Sequence, residues 1–234
     1  MSSRIHVLVS AMPKSGSTWL TKLIENLPTM NLVQLVPSHD RREQELSIDF
    51  LERFNDINYV SHQHTRFSKA TKTYLEKFSI KPVIIVRNIF DVVESFYDHF
   101  KLFGTPIPMA FVPEDILKWD KIKAFEFIVD MIIPWYFNFY CSWEIYDQKF
   151  LITYEELKNN PKHVLSAITE FAKIPCTIND IELSVEKTSQ QPTRRNVCIS
   201  GRGTNLPEHL KKRIYEFSEY YPNSDFSLLG LIKK

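Results

Sequence analysis

Hydrophobic and polar positions along this chain follow two rhythms that take turns. Short apolar runs stand at Ile5–Val9, Pro82–Val86 and Phe150–Thr153, and Tyr59–Gln63 is a fourth of the same kind. They are short for helices and rich in branched side chains, which predicts buried strands. Between them apolar residues recur every three or four positions. Trp19, Leu20, Leu23, Ile24 and Leu27 mark one face of a helix over Ser17–Leu27, ended by Pro28. Val92, Val93, Phe96, Tyr97, Phe100 and Phe103 mark a broad stripe on another that begins near Phe90. Further helices are expected at Ile48–Phe54, Ser68–Phe78, Asn160–Ala172 and Pro207–Tyr221, with Pro161 at a favoured first position. Residues 119–146 predict a long aromatic helical region kinked at Pro134. Residues 29–47, Gly104–Pro113 and the polar stretch 186–206 read as loops. Strands alternating with helices predict a three-layer, doubly wound α/β fold around a mostly parallel sheet, as a single domain over residues 1–234.

Composition narrows the function. A chain of 234 residues buries a sizeable core. Its formal charge of +1 implies no broad attraction to nucleic acid or to a membrane, so any anion site must be local. Cys141, Cys176 and Cys198 lack metal-ligand spacing and suggest ordinary reduced thiols. The first strand begins almost at once, so no signal peptide is expected and the expected compartment is the cytoplasm. Phe125–Trp143 is very apolar but holds Glu126, Asp130, Pro134 and Asn138, which predicts a buried helix rather than a membrane span.

The candidate chemistry begins where the first strand hands over to the first helix. Ser10–Gly16 is a small polar loop with one lysine, Lys14. Unpaired N–H groups of a first helical turn, the helix dipole and an ammonium together make an anion site. A solvated surface lysine is the plain alternative. The nucleoside-triphosphate loop needs a glycine directly before its lysine. Here the lysine comes first, in Pro13-Lys14-Ser15-Gly16-Ser17-Thr18-Trp19.

That heptapeptide resembles the 5′-phosphosulfate loop of the cytosolic sulfotransferase family, commonly PKSGTTW. The resemblance implies a P-loop-like sulfotransferase fold and the donor 3′-phosphoadenosine 5′-phosphosulfate (PAPS), released as the bisphosphate PAP. It implies that Lys14, Ser15, Gly16, Ser17 and Thr18 surround the 5′ end, with Trp19 stacked on adenine. Lys14 is expected near the bridging oxygen, where negative charge grows on the leaving phosphate.

Residues Val83–Phe100 resemble the family's second signature, a strand ending in Arg-Asn with a serine eight residues after the arginine. Those positions are Arg87 and Ser95, and the resemblance assigns them to the 3′-phosphate. A guanidinium fork suits a phosphate, although a structural ion pair suits an arginine there as well. Asp91 and Ser95 share a helical face. Later, Arg202-Gly203 resembles part of the family's Arg-Lys-Gly turn, but the Gly-Asp-Trp that usually follows is absent, and Arg194 or Arg195 is an alternative clamp. Thr188-Ser189 resembles a pair near the adenine, and Tyr154 stands where the family has a tyrosine near the nucleobase. The family's Lys-Thr-His motif falls on His62-Gln63-His64. His64 then matches the general base and His62 replaces the lysine. The alternative for either is an ordinary hydrogen-bonding histidine.

The expected reaction is in-line transfer of sulfonate to a hydroxyl, or an amine, of a small-molecule acceptor, without a metal. The aromatic region Phe96–Trp143 either lines the acceptor pocket or is core. No Lys-Thr-Val dimer motif is present, and the oligomeric state stays open. Two other classes compete: a nucleotide kinase, and a nucleotide-binding protein without catalysis.

Overall fold

The computed structural model describes residues 4–37, 45–105, 107, 109–190 and 201–232. Its centre is a five-stranded parallel sheet in the order β2-β3-β1-β4-β5. The strands are β1 His6–Ala11, β2 Asn31–Val33, β3 Tyr59–Gln63, β4 Ile80–Val86 and β5 Phe150–Thr153. Ser10 pairs with Gln63, Ala11 with Ile85 and Val86 with Thr153, so four carboxyl ends finish nearly level.

Strand periodicity divides the core in two. In β1, Leu8 faces one layer while Val7, Val9 and Ala11 face the other. In β4, Ile84 and Val86 go one way, Val83 and Ile85 the other. Alternation of successive side chains across a pleated strand produces this split. The helices, in chain order, are α1 Ser17–Glu25, α2 Ile48–Arg53, α3 Lys69–Lys77, α4 Ile89–Phe103, α5 Lys121–Phe127, α6 Ile133–Glu144, α7 Tyr154–Asn159, α8 Pro161–Ala172, α9 Ile178–Gln190 and α10 Glu208–Glu219. Leu20 and Leu23 of α1, Leu165 and Ile168 of α8 and Ile181 of α9 cover one face. Val92 and Phe96 of α4, Tyr136 and Trp143 of α6 and Ile214 of α10 cover the other.

Three elements and one residue differ from the expectation. Residues 31–33, expected in a loop, form β2 and pair with β3. The strand is three residues long with Asn31 and Leu32 exposed, so no apolar pattern announces it. Residues 38–44, including the charged run Asp40–Glu43, lie outside the described residues. The α-helical winding breaks before Pro134, in a π-helical turn at Ile128–Ile132, and the proline occupies the first turn of α6. A proline ring there removes one donor and crowds the carbonyl four residues back, and the wider turn absorbs both effects. Helix α9 continues into the stretch read as a polar loop, anchored by Ile181, Ser184 and Thr188. Phe103, counted in the apolar stripe of α4, is 51% exposed.

The aromatic helix α6 is core. Trp135, Tyr136, Phe137, Phe139 and Trp143 are all buried. It also braces the level strand ends. Tyr136 donates its hydroxyl hydrogen to the Pro13 carbonyl. Trp143 Nε1 donates to the Thr65 carbonyl at 3.0 Å, and the Phe67 N–H donates to Ser142 Oγ at 3.0 Å. Cys141 and Cys176 are free thiols, and Cys198 lies outside the described residues. Among the described residues no helix is long and apolar enough to cross a membrane.

Candidate active site at the carboxyl ends of the strands

Four of the candidate residues follow directly from strand ends. Lys14 comes shortly after β1, His64 immediately after β3, Arg87 after β4 and Tyr154 after β5. Because the strands are parallel and level, all four reach the same edge of the sheet, where ligands of open α/β sheets bind.

The first loop is shaped by its backbone. Lys14 and Gly16 have left-handed φ angles of 68° and 83°. Gly16 is the N-cap of α1 and offers no side chain to cap it. An ordinary residue at Gly16 would also collide with Tyr154, since its Cβ would stand 2.7 Å from that ring's Cδ2. Left-handed Lys14 is uncommon for a residue with a Cβ. It is held from several sides: Ser15 N–H donates to Met12 O at 3.2 Å, and Arg87 Nη1 donates to the Lys14 carbonyl at 3.1 Å. Ser15 Oγ is buried in this loop and makes no hydrogen bond among the described residues. Ser17 is nearly buried, while Thr18 and Trp19 are half-buried, with Trp19 packed against the second core.

Arg87 joins two signatures in one place. It is 7% exposed, its guanidinium lies 4.4 Å from the centre of the Tyr154 ring, and its Nη2 is 3.7 Å from the Asp91 carboxylate. Such a stack on an aromatic face favours arginine over lysine. Asn88 caps α4 by accepting from the N–H groups of Phe90 and Asp91. Ser95 follows on the same helix and is almost fully buried. Glu155 accepts from the Asn88 N–H at 3.4 Å, and burial pushes its carboxyl above the ordinary carboxylate range, against the pull of that hydrogen bond and of Arg87.

The histidines sit where the extended chain predicts. His62 and His64 rings meet edge to face, 4.9 Å between centres. His64 Nδ1 lies 2.8 Å from the Ala11 carbonyl, which can only accept. Nδ1 therefore carries the proton and Nε2 keeps the lone pair in the neutral ring. That is the tautomer a general base needs.

Three candidates lie elsewhere or are engaged. Thr188 is fully buried; its hydroxyl donates to Ser184 O at 2.7 Å and accepts from Asn26 Nδ2 at 2.9 Å. Asn26 is at the far end of α1, about 15 Å of helix from Gly16. Arg202 spends its guanidinium on α4, with Nη1 2.6 Å from Asp98 and Nη2 3.3 Å from Glu94. Gly203 is pressed against α4 so closely that a Cβ would stand 2.5 Å from the Phe90 carbonyl carbon. Both N–H groups of Gly201 and Gly203 donate to the two oxygens of Asp91 at 2.8 Å. Arg194 and Arg195 lie outside the described residues.

Sequence reasoning missed four contributors: Tyr136, which holds Pro13; Asp91, as the dock for the late turn; Glu155; and His99, whose Nδ1 is 3.3 Å from Lys14 Nζ. The spacing of Asp91 from Ser95 was the one available signal. Among the described residues no group of three or more His, Cys, Asp or Glu side chains could hold a metal ion.

Comparisons with known proteins bear on the family and the fold. The profile of the sulfotransferase domain matches residues 4–216, and the chain belongs to that family. Sulfotransferase 1A1 of Canis lupus familiaris is 23% identical over 228 residues, covering 90% of this chain and 73% of that protein. The Mus musculus protein of the same name is 24% identical over 233 residues, covering 90% and 74%. The chain spans 66% of the Bos taurus relative, at 23% identity. Among solved structures, mouse sulfotransferase SULT7A1 complexed with PAP superimposes with a TM-score of 0.67 at 19% identity, covering 96% of this chain and 86% of that one. Retinol dehydratase in a complex with retinol and PAP gives 0.60 at 11% identity, covering 98% and 83%. The fold is that of the sulfotransferases.

Proposed function

We propose that this chain is a PAPS-dependent sulfotransferase that moves sulfonate to a hydroxyl, or an amine, of a small-molecule acceptor. The observation that carries the reading is the bond from Arg87 Nη1 to the Lys14 carbonyl, which ties the two cationic grips into one unit. A doubly phosphorylated nucleotide needs such a pair, one at each end. The residues suit it: the loop holds left-handed Gly16, the ammonium of Lys14 and the buried hydroxyl of Ser15, which lacks a hydrogen-bond partner among the described residues.

Bound PAPS supplies an activated sulfonate on a phosphate leaving group. Lys14, with the first-turn N–H groups of α1 from Ser17 and Thr18, neutralises charge at the 5′ end. Arg87 and Ser95 receive the 3′-phosphate, and Trp19 and Tyr154 flank the nucleoside. His64 takes the proton of the acceptor at Nε2 while its Nδ1–H keeps donating to the Ala11 carbonyl. His62 supports the ring of His64 edge to face. The reading places the activity in the cytoplasm, without a membrane or nucleic-acid partner.

Calorimetry tests the nucleotide assignment. PAP is expected to bind at least about 100-fold more tightly than AMP, and Arg87→Ala is expected to erase most of that preference. Equal affinity for the two nucleotides sinks the clamp. A mass-spectrometric screen of phenols, alcohols and amines incubated with PAPS is expected to show a product gain of about 80 dalton, the generic sulfonation increment. PAP binding without any transfer would leave a nucleotide-binding protein instead.

A further inference from the structure

His99 is a titratable group at this site that no motif marks. It stands on α4, half-buried, with its ring 5.2 Å from that of Phe103 and 6.4 Å from that of Phe100. Its Nδ1 lies 3.3 Å from Lys14 Nζ. An ammonium has only hydrogens to give, so Nδ1 accepts and the neutral ring carries its proton on Nε2. This is the opposite tautomer to that of His64, whose Nδ1 donates to Ala11 O. The two imidazoles therefore suit different tasks. His64 has a lone pair on Nε2 for a proton; His99 has its lone pair committed to Lys14.

Lys14 has a tip that needs holding. Its backbone is pinned by the left-handed conformation and by Arg87 on its carbonyl. Its ammonium rides on a flexible four-carbon stem, which loses considerable rotamer entropy when localised. We propose that His99 is a positioning residue, which holds the Lys14 ammonium ready for the sulfonate before the nucleotide arrives. A neutral acceptor suits this role. It orients the ammonium without itself adding a negative charge that would compete with an incoming anion. The proposal rests on the role of Lys14 in the sulfotransferase reading.

Three variants test it: His99→Leu, His99→Asn, and His99→Leu combined with Lys14→Ala. Asparagine can place Oδ1 near the position of Nδ1 and accept from the ammonium, while leucine fills space without accepting. His99→Leu is expected to lower kcat by about 10-fold or more with KM for PAPS changed less than about threefold, and His99→Asn to recover most of kcat. Added to Lys14→Ala, His99→Leu is expected to cost less than about twofold further. Equal kcat losses in the leucine and asparagine variants, or additive losses in the double variant, overturn the proposal. A second readout needs no turnover. Trace acetylation of Lys14, followed by peptide mass spectrometry with exposed Lys69 as the internal reference, is expected to quicken in His99→Leu and not in His99→Asn. Unchanged labelling in both variants overturns the proposal as well. Altered labelling in a protein that transfers no sulfonate would instead sink the sulfotransferase reading and leave the His99 contact standing.

Discussion

Gly16, ahead of α1, and Gly201, ahead of the turn Arg202–Asn205, both cap a helical start from the left-handed region, at φ 83° and 87°. Each has a cation close by in sequence, Lys14 or Arg202. Their surroundings differ. The first loop is held through its backbone, by Met12 O, by Arg87 on the Lys14 carbonyl and by Tyr136 on the Pro13 carbonyl. Its cation meets the ring of His99. The late turn is held through its cation and its N–H groups together. Arg202 bonds to Glu94 and Asp98, and Asp91 takes the N–H groups of Gly201 and Gly203. A cation against a neutral acceptor keeps its charge for a ligand. One between two carboxylates has already been neutralised by the protein. Similar turns are thus held in different ways: the first sets its cation against a histidine ring, and the second docks its cation on two carboxylates.

The largest expected effect separates the two cations. Lys14→Ala should reduce sulfonate transfer by about 10²–10³-fold with little change in melting temperature. Arg202→Ala should do the reverse. It takes the guanidinium from Asp98 and from Glu94, which keeps Lys121 at 3.2 Å, for a cost of about 1 kcal/mol and a melting point lower by a few degrees. If Arg202→Ala, assayed well below its melting point, loses as much transfer as Lys14→Ala, the contrast is broken and the late turn is a grip as well.

His64→Ala should reduce turnover by about 10²–10⁴-fold while PAP affinity measured by calorimetry stays within about threefold. Full turnover in that variant would move the base to another residue.

The glycines sharpen the comparison at the level of stability. Gly203→Ala drives a Cβ into the backbone of Phe90 and Asp91, at 2.5 and 2.7 Å, and is expected to cost about 1–3 kcal/mol in denaturant unfolding. Gly201→Ala meets nothing within 4 Å, so only the left-handed φ is charged, about 1 kcal/mol. Equal costs for the two would mean that the turn is not docked tightly on α4.

Glu155 supplies the smallest effect, with a definite sign. Burial raises its carboxyl above the ordinary value, so the folded chain holds that proton more tightly than the unfolded chain. Its contribution to stability is full below the ordinary carboxylate pKa and is lost as pH rises through the raised one. Glu155→Gln keeps an oxygen for the Asn88 N–H and stays neutral. The variant should therefore be more stable than the parent near neutral pH and equal to it in acid, as denaturant midpoints across that range will show.

Much of the site was legible because it follows strand ends. An apolar run that stops at Val86 announces Arg87, and one that stops at Thr153 announces Tyr154. Local signals also sufficed for Pro13–Trp19, where left-handed backbone and a helix start demand small residues. The late turn was less legible. Arg202 carries a charge that suits a phosphate equally well on paper, and only its proximity to Glu94 and Asp98 assigns it to α4.

The chain's own pattern determined the parallel sheet, its alternation with helices and the loop that holds Lys14, since these arise from periodicity and turn chemistry within short stretches. Tertiary structure decided the pairing of β2, the docking of Gly201 and Gly203 on Asp91 and the meeting of His99 with Lys14. Those contacts join residues far apart in sequence. Their energies depend on distances and tautomers that no local run of residues encodes.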